Sequence, residues 1–416
     1  MKKNLKLLSS FLFFWAFLVL FKFGAGLHYT LLSPLGNRLM PLWIVGILIS
    51  LCSVIQLILD IPAGMALDKW GYKKILLIGT FIFVLAGIVL FLQFNSLYYI
   101  LSISLATIGW LFFGPGRNAY ALSHATKKNS GTFMAYRDVF SSIGIVLACL
   151  LLPFVVNTSH KTIGLIIAAL MILASISILL SPKDHKKITL LHNPHERTHK
   201  QRAHVLRNMT LALKKLNPAS TLLILLDFTG AIFYGIVWFV VPLIIANAPS
   251  TTQLLGLGLS MFDFAVVIIG SVLCTFVDRF DKKFMVFLGL LLFSVAGLFL
   301  GFSFGLPFLI FAFIATTGDE IASLPLWAWL HRLDKNHNKD GLISSVINLF
   351  EDLGWALGPL FASIFYIFIG PKLTIVIGAI PIFILLLVYQ FTIRKHLMHI
   401  SLLEAPKKPH KHRHKS

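Results

Sequence analysis

Gly64-Met65-Ala66-Leu67-Asp68-Lys69-Trp70-Gly71-Tyr72-Lys73-Lys74 is the stretch whose reading decides the fold. A long apolar run ends in it and another begins after it. A weaker copy, Asp278-Arg279-Phe280-Asp281-Lys282-Lys283, recurs 210 residues later in the same setting. Each residue type has a physical job. Gly64 has no side chain, so a neighbouring helix can approach closely. Gly71 permits the tight turn. Asp68, at the end of a helix, is placed to accept hydrogen bonds from the positive N-terminus of another helix. Lys69, Lys73 and Lys74 hold the loop on the cytoplasmic side of a membrane. In the second copy Cys274 replaces the first glycine and Asp281 the second, so that copy departs from the pattern and a looser junction is expected there.

The apolar runs fix the solvent. The chain has 416 residues, 57% apolar and only 12% charged, with a mean hydropathy of +0.85. A soluble protein carries about a quarter charged residues, so this chain cannot cover a water-exposed surface. Twelve runs long enough to span a bilayer begin near Leu7, Leu42, Ile75, Tyr98, Thr132, Thr162, Thr221, Gln253, Phe284, Pro307, Ile343 and Leu373. The basic start Lys2, Lys3 and Lys6 imitates a signal peptide, but the run after it is too long for one and reads as a retained first helix.

The net charge of +20 has a topological origin. With a cytoplasmic N-terminus, only Arg38, Lys161 and Lys372 fall outside, and Lys22, Arg117 and Arg137 fall within spans. Every other Lys and Arg is cytoplasmic. This asymmetry predicts both termini inside and removes the case for nucleic acid. Between the sixth and seventh spans a basic linker, 182–219, carries a stretch (202–216) with Val205, Met209, Ala212 and Leu216 on one helical face. It reads as an interfacial helix on the anionic inner leaflet. The linker separates two six-helix bundles, 1–181 and 220–393, and a disordered basic tail covers 394–416.

The same offset relates Phe140-Ser141-Ser142-Ile143-Gly144 to Phe350-Glu351-Asp352-Leu353-Gly354. Two separate places joined by one offset imply a structural repeat, with a substrate site near the membrane midplane between the halves. The hinge, its repeat and the lead-in Asp60-Ile61-Pro62-Ala63-Gly64 resemble the major facilitator superfamily of secondary transporters. The resemblance implies an all-α integral membrane fold: twelve transmembrane helices in two pseudo-symmetric bundles. It further implies alternating access, with Gly64, Asp68, Lys69, Gly71, Lys73, Lys74, Asp278, Arg279 and Lys283 as the gating motif. Spans 1, 4, 7 and 10 would line the cavity, spans 2, 5, 8 and 11 would form the bundle interface, and spans 3, 6, 9 and 12 would face lipid.

Ten ionisable residues fall inside spans: Lys22, Arg117, Arg137, Asp138, Asp227, Asp263, Asp319, Glu320, Glu351 and Asp352. None lies on spans 3, 6, 9 or 12. A charge at the bilayer centre costs at least ~2.5 kcal/mol unless paired or hydrated, so this distribution supports the assigned lipid face. Desolvated carboxylates hold protons tightly, which makes Asp227, Asp263, Asp319 and Glu320 the proton-coupling candidates. Asp319 and Glu320 are adjacent and point in different directions, so one of them is expected to face the cavity. Lys22 and Arg117, the latter after Gly114-Pro115-Gly116, are candidates for an anionic substrate group or for a cavity ion pair. Tyr234, Trp238 and Trp327 are candidate apolar walls, although aromatic residues in spans often only pack. Arg137, Asp138, Glu351 and Asp352 are read as bundle-interface charges held in fixed salt bridges, with a gating role open to the last two.

Other chemistry is weakly represented. Cys52, Cys149 and Cys274 lie in spans without disulfide or zinc spacing. The histidines of the linker and tail read as part of solvated basic segments, and no metal site is expected. No Gly-x4-Gly-Lys-Ser/Thr loop is present, so ATP drive is not expected. The antiporter-type glycine motif is incomplete in the fifth span, Gly144 to Cys149, and better matched by Gly354-Trp355-Ala356-Leu357-Gly358-Pro359 in the eleventh. The expected protein is a monomer in a bacterial inner membrane with no cofactor and no enzymatic activity. It moves a small-molecule substrate with protons, by efflux. The alternatives are uptake of an anionic metabolite through Arg117 and Lys22, or a non-transporting receptor on the same fold.

Overall fold

Helices are what an apolar chain must form in hydrocarbon, because each backbone N–H and C=O has to find its partner within the segment. The structure, a computed structural model, describes residues 11–124, 130–183, 218–247, 252–270, 280–334 and 340–393. Its helices are α1 (Leu12–Asn37), α2 (Leu42–Trp70), α3 (Tyr72–Leu92), α4 (Ser96–His124), α5 (Ser130–Val155), α6 (His160–Leu180), α7 (Pro218–Asn247), α8 (Thr252–Ala265, continued by a π turn Val266–Gly270), α9 (Lys282–Leu300) and α10 (Leu306–Asp334). A last helical stretch, Asp340–Val388, breaks at Gly370 (φ 77°, ψ 173°) into α11 (340–369) and α12 (371–388). Pro371, directly after the break, suits the first turn of α12 because it has no N–H to leave unsatisfied.

Among the described residues ten helical stretches are long and apolar enough to span a membrane. One of them, Val346–Phe391, is α11 and α12 together, and the shorter apolar Leu254–Ile269 completes twelve. The linker with its proposed interfacial helix, the tail, and Cys274, Asp278 and Arg279 lie outside the described residues.

The packing repeats between the halves. In the first, α1 lies against α5 and α6, α3 against α4 and α6, and α2 against α4. In the second, α7 lies against α11 and α12, α9 against α10 and α12, and α8 against α10. Small residues let the backbones meet. A β-carbon at Gly144 would run into the Val19 carbonyl and the Lys22 side chain on α1. One at Gly354 would lie 2.5 Å from the Phe228 carbonyl oxygen and 2.7 Å from the Ala231 β-carbon on α7. The bundles meet through α2 with α11, α5 with α8, and α1 with α7. The outer helices α3, α6, α9 and α12 present Phe81, Leu165, Phe299 and Ile384 outward, as the charge pattern predicts.

Cationic side chains close helix ends, where carbonyls lack partners and the dipole is negative. Lys73 Nζ donates to the carbonyls of Leu179 (2.9 Å) and Ser181 (2.6 Å) at the end of α6. Arg38 Nη2 donates to the Val156 carbonyl at 2.8 Å beyond α5. The two hinges turn by different means. Gly71 adopts φ 89°, ψ 151°, whereas Asp281 caps α9, its carboxylate accepting from the Lys283 N–H at 3.1 Å.

Candidate functional site: a charged cavity between the bundles

The bundles enclose a cavity of about 550 Å³, lined mainly by α1, α2, α4, α7, α8, α10 and α11. Its two ends differ. At the end carrying the α1–α2 turn, Gly46 of α2 abuts Ser363 and the Pro359 carbonyl of α11. There Gly256 of α8 abuts Pro153 and the Cys149 carbonyl of α5. Ser33 Oγ of α1 donates to the Phe239 carbonyl of α7 at 2.7 Å. At the hinge end, β-carbons placed at Gly64 and Gly114 would meet nothing within 4 Å. Among the described residues the bundles are thus in close contact at the end carrying the α1–α2 turn, and no such contact is made at Gly64 or Gly114. The close helix approach expected at Gly64 is not made by any described residue. Asp68 lies in the last turn of α2.

The charges on the wall are divided by bundle. The N-terminal bundle contributes Lys22 and Arg117, with Asp60 and His28; the C-terminal bundle contributes Asp263, Asp319, Glu320, Glu351 and Asp352. Lys22 is 8% exposed and its ammonium lies 4.3 Å from the Trp110 ring centroid, a cation–π arrangement. Arg117 donates through Nη1 to Ser141 Oγ at 3.1 Å and stands 5.4 Å over Phe113. Its Nε is buried without a hydrogen-bond partner. Asp319 accepts a hydrogen bond from the Tyr234 hydroxyl at 2.9 Å.

Aromatic rings cover the space between these charges. Tyr234 stacks with Trp355 (6.4 Å, 20°) and with Phe293 (5.6 Å, 21°), and meets Phe262 edge-on at 5.8 Å. Tyr29 of α1 crosses to the other bundle, 6.4 Å from Trp238 and 6.5 Å from Trp355.

Several expectations need correction. Asp319 and Glu320 both line the cavity. Neighbouring residues on a helix diverge by about 100°, and the cavity is wide enough to meet both directions, with Asp319 turned toward Tyr234. Asp227 and Trp327 do not line it. Glu351 and Asp352 are not in fixed salt bridges; among the described residues the ion pair formed is Arg137 with Asp138, neighbours on α5, at 2.6 Å. Arg137 also donates to Asn118 of α4 at 2.6 Å, so this pair ties α5 to α4 within one bundle.

The cavity also holds residues the charge inventory passed over: His28, Tyr29, Gln56, Asp60, Trp110, Phe262 and Trp355. Helical spacing carried part of that signal. Tyr29 lies seven residues after Lys22, and Trp355 four after Glu351, so each pair shares a helix face.

A cavity between two repeated six-helix bundles defines a membrane transporter fold, and the sequence comparisons agree. A profile of the Major Facilitator Superfamily matches residues 7–246. The chain belongs to that superfamily and is an integral multi-pass membrane protein. Among curated proteins no sequence matches it. Solved structures share the fold. A mutant of the nucleoside transporter NupG aligns at 13% identity and TM-score 0.69, over 90% of this chain and 98% of that one. A bacterial homolog of the human lysosomal transporter Spinster, inward-facing and unoccupied, aligns at 13% identity and TM-score 0.71, over 93% and 97%. A POT family transporter in complex with a thioalcohol-conjugated peptide aligns at 15% identity and TM-score 0.66, over 92% and 95%. At these identities the likeness carries the fold alone.

Proposed function

We propose that the protein is a secondary active transporter that moves a small organic solute by alternating access, in proton-coupled efflux. The observation that carries this reading is the interbundle cavity, closed over by helix contacts at the end of the α1–α2 turn and walled on the C-terminal side by five carboxylates. The positive-inside distribution supports a cytoplasmic hinge end, which would make the conformation with contacts only at the other end the inward-facing one, and a bacterial inner membrane fits the same topology. Asp68 and the surrounding hinge residues then latch the cytoplasmic side when the cavity turns outward. A carboxylate that holds either a proton or a cationic group, but not both, links the two fluxes. Asp263, Asp319 and Glu320 are placed in the cavity for that exchange. Asp227, off the wall on α7, is close enough for the charges of Asp319, Glu351 and Glu320 to act on it. The solutes named with two fold relatives, a nucleoside for one and a bound thioalcohol-conjugated peptide for the other, are of a size the cavity accepts. Lys22 and Arg117 favour a second reading, uptake of an anion.

Inside-out vesicles with an acid lumen test the proposal. Adding a transported compound should release lumenal protons, and replacing Asp319 by Asn together with Glu320 by Gln should abolish that release. Proton release that persists in the double variant removes both acids from the coupling. No release with cations, zwitterions or anions transfers the case to uptake, read by counterflow in right-side-out vesicles.

A further inference from the structure

Opposite charges on a buried wall usually neutralise each other by pairing. Here they do not. Lys22, more than nine-tenths buried, lines the cavity and has no hydrogen bond and no ion pair among the described residues, only the faces of Trp110 and Phe113, with Asp263 of the other bundle near enough for its charge to act on it without closing an ion pair. Arg117 beside it satisfies one nitrogen through Ser141 and leaves Nε without a partner. Across the cavity, among the described residues, Asp319 has the Tyr234 hydroxyl as its hydrogen-bond partner, and Glu320 and Glu351 line the same wall with no cation in ion-pair contact. Next to these acids Trp355, backed by Tyr234, lines the cavity with a ring that can attract a cation.

The missing counter-charges are therefore of both signs, on opposite bundles of one cavity. We infer that the solute is dipolar. Its anionic group, a carboxylate or an equivalent oxyanion, sits against Lys22 and Arg117. Its ammonium sits against Asp319 and Glu351 beside Trp355. An apolar or aromatic body fills the space walled by Tyr29, Trp238 and Phe262. A volume of about 550 Å³ is ample for a zwitterion of amino-acid size. The inference deepens the transport reading and rests on it for the purpose of the cavity, not for direction or coupling. It also reconciles the efflux and uptake alternatives, each of which used half of the charged wall. Because such a solute touches both bundles, bound solute favours drawing them together at the hinge end.

The test is equilibrium binding to the purified full chain in nanodiscs, without a gradient, so that a failure of coupling leaves it readable. Two zwitterions of different reach are used: phenylalanine and 4-(aminomethyl)phenylacetate. Each is compared with its amide, which keeps only the ammonium, and its N-acetyl form, which keeps only the carboxylate. A buried charge-assisted contact is worth roughly 1.5–3 kcal/mol, so at least one zwitterion should bind about ten- to a hundredfold more tightly than both blocked forms. Lys22→Met should erase the preference over the amide and keep the preference over the acetyl form; Asp319→Asn should do the reverse. A merely structural role would weaken all probes alike. A blocked form that binds as tightly as its parent, or no binding of either parent, overturns the inference. Proton release driven by other compounds in vesicles would then still stand for transport itself.

Discussion

At Gly144 a β-carbon would collide with the α1 backbone beside Lys22; at Gly354, 210 residues later, the same atom would collide with the α7 backbone beside Ala231. The two crossings are copies of one another. Gly26 against Ala148 and Gly235 against Gly358 repeat the match one turn further along. Yet the residue beside the crossing is a cavity ammonium in one bundle and a methyl group in the other. Where backbone meets backbone, only glycine fits, and both halves keep it. A side chain away from that contact is free to change, and there the halves have diverged into a wall with bases and a wall of acids.

This comparison can be attacked at its strongest point first. Leucine at Gly144 or at Gly354 has no room against the facing backbone. Each change should lower stability by about 3 kcal/mol or more, read as thermal unfolding in detergent, and the two losses should be alike. Tolerance at one site only would mean that the frame is not shared. The hinges differ, and the losses there should differ too. Gly71→Ala forces an alanine into a backbone region nearly reserved for glycine and should cost about 1–3 kcal/mol. Asp281→Ala removes a helix cap and should cost about 1 kcal/mol. The smallest effect is kinetic. Asp68→Asn should slow turnover about tenfold while leaving substrate affinity nearly unchanged, and Asp278→Asn, in the hinge without glycines, should slow it less. Loss of affinity in proportion to rate would assign Asp68 to the fold rather than to the gate.

Much of this was legible in the chain. Hydropathy and the Lys/Arg distribution gave the spans, because the bilayer imposes length and sidedness on any sequence that crosses it. The hinge and its copy gave the repeat. Avoidance of α3, α6, α9 and α12 by charge gave the lipid face before any geometry. The composition of the cavity wall was harder to read. Asp319 and Glu320 share it because its width, a tertiary property, exceeds the angle between adjacent residues. Asp227 shares a bundle with them but lies off the wall, which depends on the rotation of α7. Arg137 found its acid one residue away rather than across the interface, and Trp327 falls outside the cavity although it lies two turns beyond Glu320 on the same helix. Tyr29 and Trp355 were within reach of periodicity, but an inventory of charges passes over aromatics.

The central claim is that one cavity opens alternately to the two ends. Distances between paired spin labels test it most directly, in a chain whose Cys52, Cys149 and Cys274 are replaced by serine. Labels at exposed Asn37 and Asn247 report the end of the α1–α2 turn, and labels at exposed Trp70 and Asn348 report the hinge end. On adding the transported solute, the first distance should lengthen and the second shorten, in the same fraction of molecules. Transport with both distances fixed, or with both moving in the same sense, would contradict alternating access.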